Sequence, residues 1–123
     1  MHTVHLPKAA KGGVIAAAMG IFFSADPDYY SAKVAEDQDQ VAIIDKFFTS
    51  LMWDKQNTAG AFVNARSSKV FYGELMMMVN MRTRWTYKGS VTTPPCATAV
   101  YWNVVKTIYP IKQMHLNQFK AQM

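Results

Sequence analysis

The run Trp85-Thr86-Tyr87-Lys88-Gly89-Ser90-Val91-Thr92-Thr93-Pro94-Pro95-Cys96 concentrates the residues whose types and spacing could do chemistry. Gly89 permits a tight bend, while the paired prolines fix φ and cannot continue a sheet ladder, so the stretch reads as a rigid loop. Thr92 and Thr93 are then two hydroxyls held in place. Taken alone, Thr-Thr-Pro-Pro is equally an ordinary turn, and only the whole run is specific. The remaining candidates stand apart from it. His2, beside an initiator methionine, reads by itself as a surface residue or as a metal ligand. His115 has no motif around it and reads as a surface histidine. Met76-Met77-Met78 offers thioethers, but soft-metal sites space their methionines, so the triplet reads as flexible core filling. Cys96 is the only cysteine, which excludes both an internal disulfide and a thiolate zinc cluster.

The elements that must position these residues follow from periodicity. His2 and Val4 alternate with Thr3 and His5, as in a strand with two distinct faces. The apolar run over residues 12–23 is too short for the roughly 20 residues of a membrane helix and reads as a buried strand, stopped by Ser24-Ala25-Asp26-Pro27-Asp28. Asp37 or Asp39 caps a helix through Val41, Ile44, Phe47, Phe48 and Leu51, whose spacing makes one apolar face. Residues 54–69 lack sustained periodicity and read as a long surface connection. After the prolines, Val100, Trp102 and Val104 alternate with Tyr101, Asn103 and Val105 as another strand, ended by Pro110. Met114 to Phe119 starts a short final helix.

Half of the residues are hydrophobic and few are charged, which predicts a packed core rather than disorder. The formal charge of +5 comes from scattered lysines and arginines, not from a dense basic face, so nucleic-acid binding is not expected. The first residues lack the features of a secretion signal.

The loop and its surroundings resemble the α-class carbonic anhydrases, whose domain carries a Trp-Thr-Tyr-x-Gly-Ser-(Leu/Val)-Thr-Thr-Pro-Pro loop and, further on, a strand tryptophan matched by Trp102. Met1-His2-Thr3-Val4-His5 resembles the family's strand with its third zinc histidine, and Met19-Gly20-Ile21-Phe22-Phe23 the next pocket strand; Pro110-Ile111 and Phe119 also fit. The resemblance implies a mainly β (α+β) fold, part of a large, twisted, mostly antiparallel sheet with peripheral helices. It implies zinc, held by three histidines with water in the fourth position, and reversible hydration of carbon dioxide to bicarbonate. His2 would be the third ligand. Thr92 would accept a hydrogen bond from the zinc-bound hydroxide and donate to a glutamate, an orienting role. Thr93 would contact bicarbonate at the pocket edge. Val4, Ala18, Val91, Val100 and Trp102 would form the apolar wall for carbon dioxide, although the same five are also plain core residues. Ala18 stands where a larger aliphatic residue is common, which implies a wider pocket. Cys96 resembles the cysteine of secreted and membrane-bound members that bridges to one outside this chain, which implies an extracellular or lumenal protein; a lone buried thiol is the alternative.

Residues 1–123 match only about half of that family's domain. The His-x-His pair, the proton-shuttle region, the glutamate partner of Thr92 and the last C-terminal segment have no counterpart, and Met1 replaces a glutamate that supports the zinc ligand in many members. The expectation is therefore a fragment whose complete site needs residues outside this chain. The alternative is an inactive carbonic-anhydrase-like subunit serving as a binding module. In either case a protein partner is expected on the open sheet edge.

Overall fold

The structure, a computed structural model, describes residues 1–9, 12–53 and 69–123. It divides into two compact units, Met1–Phe22 with Asn80–Ile108, and Phe23–Val79 with Tyr109–Met123. The surface connection expected over residues 54–69 lies almost wholly outside the described residues.

The first unit is built on a sheet of β1 (His2–His5), β2 (Ala16–Ser24), β3 (Arg84–Ser90) and β4 (Thr98–Pro110), in the order β1-β2-β4-β3. Gly12 and Gly13, with φ of 65° and 71°, turn the chain into β2 in the left-handed region where glycine costs least. β1 pairs with β2 and β3 with β4, both antiparallel. Ile15 N–H donates to Ala99 C=O, and at the far end Ile111 N–H donates to Ser24 C=O, so β2 and β4 run in the same direction. The sheet is thus mixed but mostly antiparallel, as expected. β3 is a correction, because the stretch read as a rigid loop from Trp85 is a strand as far as Ser90, and only its remainder is loop.

Register sorts this unit's side chains onto two faces. Val4 lies opposite Ala18 and His2 opposite Gly20, while Tyr87 lies opposite Trp102 and Gly89 opposite Val100. Ala16, Ala18, Val100 and Trp102 form a buried cluster on this face. Met19, Ile21 and Val105, at the alternate positions, are buried on the other.

The second unit contains α1 (Ala32–Glu36), α2 (Gln38–Ser50), α3 (Tyr72–Met78) and α4 (Gln113–Lys120). Asp37 is the N-cap of α2, its carboxylate accepting from Gln40 N–H at 3.1 Å and from the Gln40 amide at 2.7 Å. Ile44, Phe47 and Phe48 are its buried face. Phe48 is the hub, with rings of Phe23, Phe47, Trp53 and His115 at 4.9, 5.1, 5.7 and 5.7 Å. The fully buried Phe47 and Phe48 each contribute about 1.5–3 kcal/mol by burial. In α3, Leu75 and Val79 are buried four residues apart, so the intervening Met77 faces outward at 90 % exposure. Of the methionine triplet expected as core filling, Met77 is thus a correction while Met76 and Met78 are half-buried; helical geometry gives the fully buried stripe to Leu75 and Val79.

Candidate functional site

The site residues predicted from sequence gather on the first unit. Thr92 and Thr93 sit in the loop that follows β3, and both are exposed. Val91 N–H donates to Ala97 C=O at 2.9 Å and Cys96 N–H to Thr93 C=O at 2.9 Å, so the loop is closed on itself by two backbone bonds. A cis peptide joins Pro94 and Pro95. The pairing of β3 with β4 slips between Gly89 and Ser90, leaving Ala99 as the extra residue at φ 70°. Such a bulge re-aims the chain at the root of the loop.

Trp102 stands behind that root. Its indole N–H donates to Ser90 C=O at 3.0 Å, and its ring stacks on Tyr87 with centroids 6.2 Å apart and planes 8° off parallel. Gly89 has no side chain for a direct reason: a Cβ there would lie 2.9 Å from the Tyr87 ring and 3.1 Å from Trp102 Cδ1. On the other side, the ring of His2 meets Trp102 edge-on at 4.9 Å and 72°. His2 itself is exposed, and Gly20 beneath it keeps the space between His2 and Val104 open.

Of the five residues expected as an apolar wall, Ala18, Val100 and Trp102 are buried together, whereas Val4 is 62 % exposed and Val91 is 38 % exposed. Val4 shares the face through its pairing with Ala18. Phe22, Trp85 and Tyr87 are also about half exposed. Cys96 carries an exposed free thiol at φ 56°, which corrects the alternative of a buried one. His5 lies across the strand from this face, its ring 3.3 Å from the Thr3 hydroxyl.

His115 is the clearest correction. It is 1 % exposed rather than on the surface, with Nε2 2.7 Å from Asp45 Oδ1. Asp45 also accepts from Lys112 Nζ at 2.8 Å. Burial alone raises the Asp45 carboxyl, but the hydrogen bonds from Lys112 and His115 and their charges outweigh it and hold the group below the usual aspartate range. Sequence gave no warning, since Gln113 and Asn117 flank His115 and its partner lies 70 residues away. The second unit also holds a cavity of about 310 Å³ lined by Tyr30, Val41, Ile44, Asp45, Ile111 and Lys112 among others, and none of the predicted site residues lines it.

Among the described residues no three His, Cys, Asp or Glu side chains group to hold a metal ion. The donor set of the described residues therefore does not by itself fit zinc, and His2 lies beside Trp102 and Val104.

The sequence profile of eukaryotic-type carbonic anhydrases matches residues 5–123. The chain belongs to that family. Two solved α-carbonic anhydrases share its fold, each at 23% identity over 98% of this chain. One, from Thermovibrio ammonificans in complex with the inhibitor sulfanilamide, has a TM-score of 0.57. The other, a fungal enzyme from Aspergillus oryzae, has a TM-score of 0.60. The family member described here spans 43% and 44% of those two chains, less than half of either. No curated protein matches it significantly in sequence. The profile match starts at His5, so His2 and Val4 precede it.

Proposed function

We propose that this chain is one portion of a zinc carbonic anhydrase that hydrates carbon dioxide reversibly, with the complete site assembled from this portion and residues outside it. The observation that carries the reading is the convergence at Trp102: the loop with Thr92 and Thr93, the cluster of Ala18 and Val100, and the ring of His2 all adjoin one indole. In the complete domain His2 would be one of three zinc ligands, Thr92 would orient the attacking oxygen, Thr93 would contact bicarbonate, and Val4, Ala18, Val91, Val100 and Trp102 would wall the substrate. Zinc in such sites supplies an activated water near neutral pH. His2 is the one ligand the reading draws from the described residues, and the other two would come from outside this portion.

A second reading, a carbonic-anhydrase-like subunit without catalysis, is favoured by the missing three-ligand cluster among the described residues. Both readings call for a covering partner. Val4, Phe22, Trp85 and Tyr87 expose large apolar side chains, and β1 and β3 are the outer strands of the sheet. The experiment is to isolate the protein from its source and measure bound zinc together with sulfonamide-sensitive carbon dioxide hydration. Stoichiometric zinc and inhibitable turnover support the enzyme portion; a metal-free, inactive isolate supports the subunit.

A further inference from the structure

We propose that Trp102 is the positioning residue of this site, holding the root of the hydroxyl loop through its indole N–H and the His2 imidazole through its ring. The inference deepens the reading above and rests on its placing of His2 and Thr92 in one site. An apolar wall needs only the bulk of a ring. Trp102 does something a plain hydrophobe does not. It is 6 % exposed, and a buried indole N–H must find an acceptor. The acceptor it has is the carbonyl of Ser90, the last residue of β3 before Val91 and the threonines.

Three further features fix the indole rather than the loop. Tyr87 stacks on one side, the absence of a Cβ at Gly89 lets the ring approach the backbone, and the bulge at Ala99 lies three residues before Trp102 on the same strand. Among the described residues, the loop itself is closed by its own two backbone bonds, Val91 to Ala97 and Cys96 to Thr93. Its place relative to the sheet is set where Ser90 both pairs with Thr98 and accepts the indole N–H. Since the His2 ring rests against that same indole at 4.9 Å, a displacement of Trp102 moves the two halves of the site together.

The test uses the full chain labelled for NMR, with Trp102→Phe and Trp102→Leu. Both variants lose the indole N–H, so exchange of the Val91 and Cys96 amides should quicken by about tenfold in both, the scale set by one lost hydrogen bond. The amides of Ile21 and Lys106, bonded elsewhere in the sheet, should keep their rates. The ring-current displacement of the His2 Cδ2 proton should survive in Trp102→Phe and vanish in Trp102→Leu. That separation distinguishes two positioning contacts from mere filling of the core. Unchanged loop exchange, exchange that quickens equally at Ile21 and Lys106, or a His2 shift identical in the two variants overturns the proposal. If neither variant folds, the unaltered chain decides: with each rate taken relative to that of its own unprotected group, the Trp102 indole N–H and the Val91 amide should show matching protection, and clearly different protection overturns it. If these expectations are met but the protein isolated from its source lacks zinc and turnover, the functional reading alone is refuted. An active zinc protein that fails them refutes the positioning role alone.

Discussion

Removing the Asp45 carboxylate tests how the second unit holds α4 against α2. In Asp45→Ala, the His115 Nε2 proton loses its acceptor at 2.7 Å while the ring stays 1 % exposed, because a carboxylate can only accept and the imidazole is therefore the donor. A buried donor left without a partner costs about 1–3 kcal/mol. The Lys112 contact, between side chains 54% and 33% exposed, adds at most about 1 kcal/mol. We expect a loss of about 2 kcal/mol, read as a lower urea midpoint at unchanged slope. The decisive comparison repeats the change in a His115→Phe background, where a ring still faces Phe48 but no donor is stranded. There Asp45→Ala should cost less than about 1 kcal/mol, giving a coupling of about 1–2 kcal/mol. Equal costs in the two backgrounds would refute the argument that the stranded proton, rather than lost packing, sets the penalty.

Other expectations follow from single features. Because the Asp45 carboxyl is held below its ordinary value, its contribution is complete above about pH 4 and is lost as the pH falls through the lower folded value; urea midpoints should therefore fall more steeply with acid in the parent than in Asp45→Ala. Gly89→Ala should destabilise by about 1–2 kcal/mol through overlap with Tyr87 and Trp102, and adding Tyr87→Ala should recover part of that loss in the same titration. Ala99→Gly relieves a left-handed residue at φ 70° and should stabilise by up to about 1 kcal/mol after the flexibility of glycine is set against it. Lys46→Met should cost no more than about 1 kcal/mol by thermal melting, because its pair with Glu74 at 2.8 Å is nearly half exposed.

What could be read from sequence divides along physical lines. α2 was legible because Asp37 is a capping residue and the apolar spacing behind it is long enough to average out noise. β4 was legible from strict alternation, and the Trp85-to-Cys96 run from its specificity as a whole. β3 was hidden inside that run, since Gly89 and the prolines outweighed the alternation of Trp85 and Tyr87. α1 has only five residues, and α3 opens on Tyr72-Gly73, a poor helix start, so neither left a periodic signal. For the candidate site, sequence offered residue identities but not their linkage. Nothing in the spacing of Ser90 and Trp102 announces a hydrogen bond, and a buried histidine with a distant aspartate looks in sequence like any polar helix position.

The parallel pairing of β2 with β4 also governs the order of assembly on the ribosome. β1 and β2 can meet early, but β2's other neighbour begins only at Thr98, after α1, α2 and α3 have been made. Until then one side of an alanine-rich, mostly buried strand has no mate. Long-range pairing of this kind closes slowly and leaves a strand edge exposed in the meantime. A nascent chain of this protein thus carries its greatest risk of misassociation in the interval before β4 emerges, and a holdase acting in that interval should raise its yield more than one added after release.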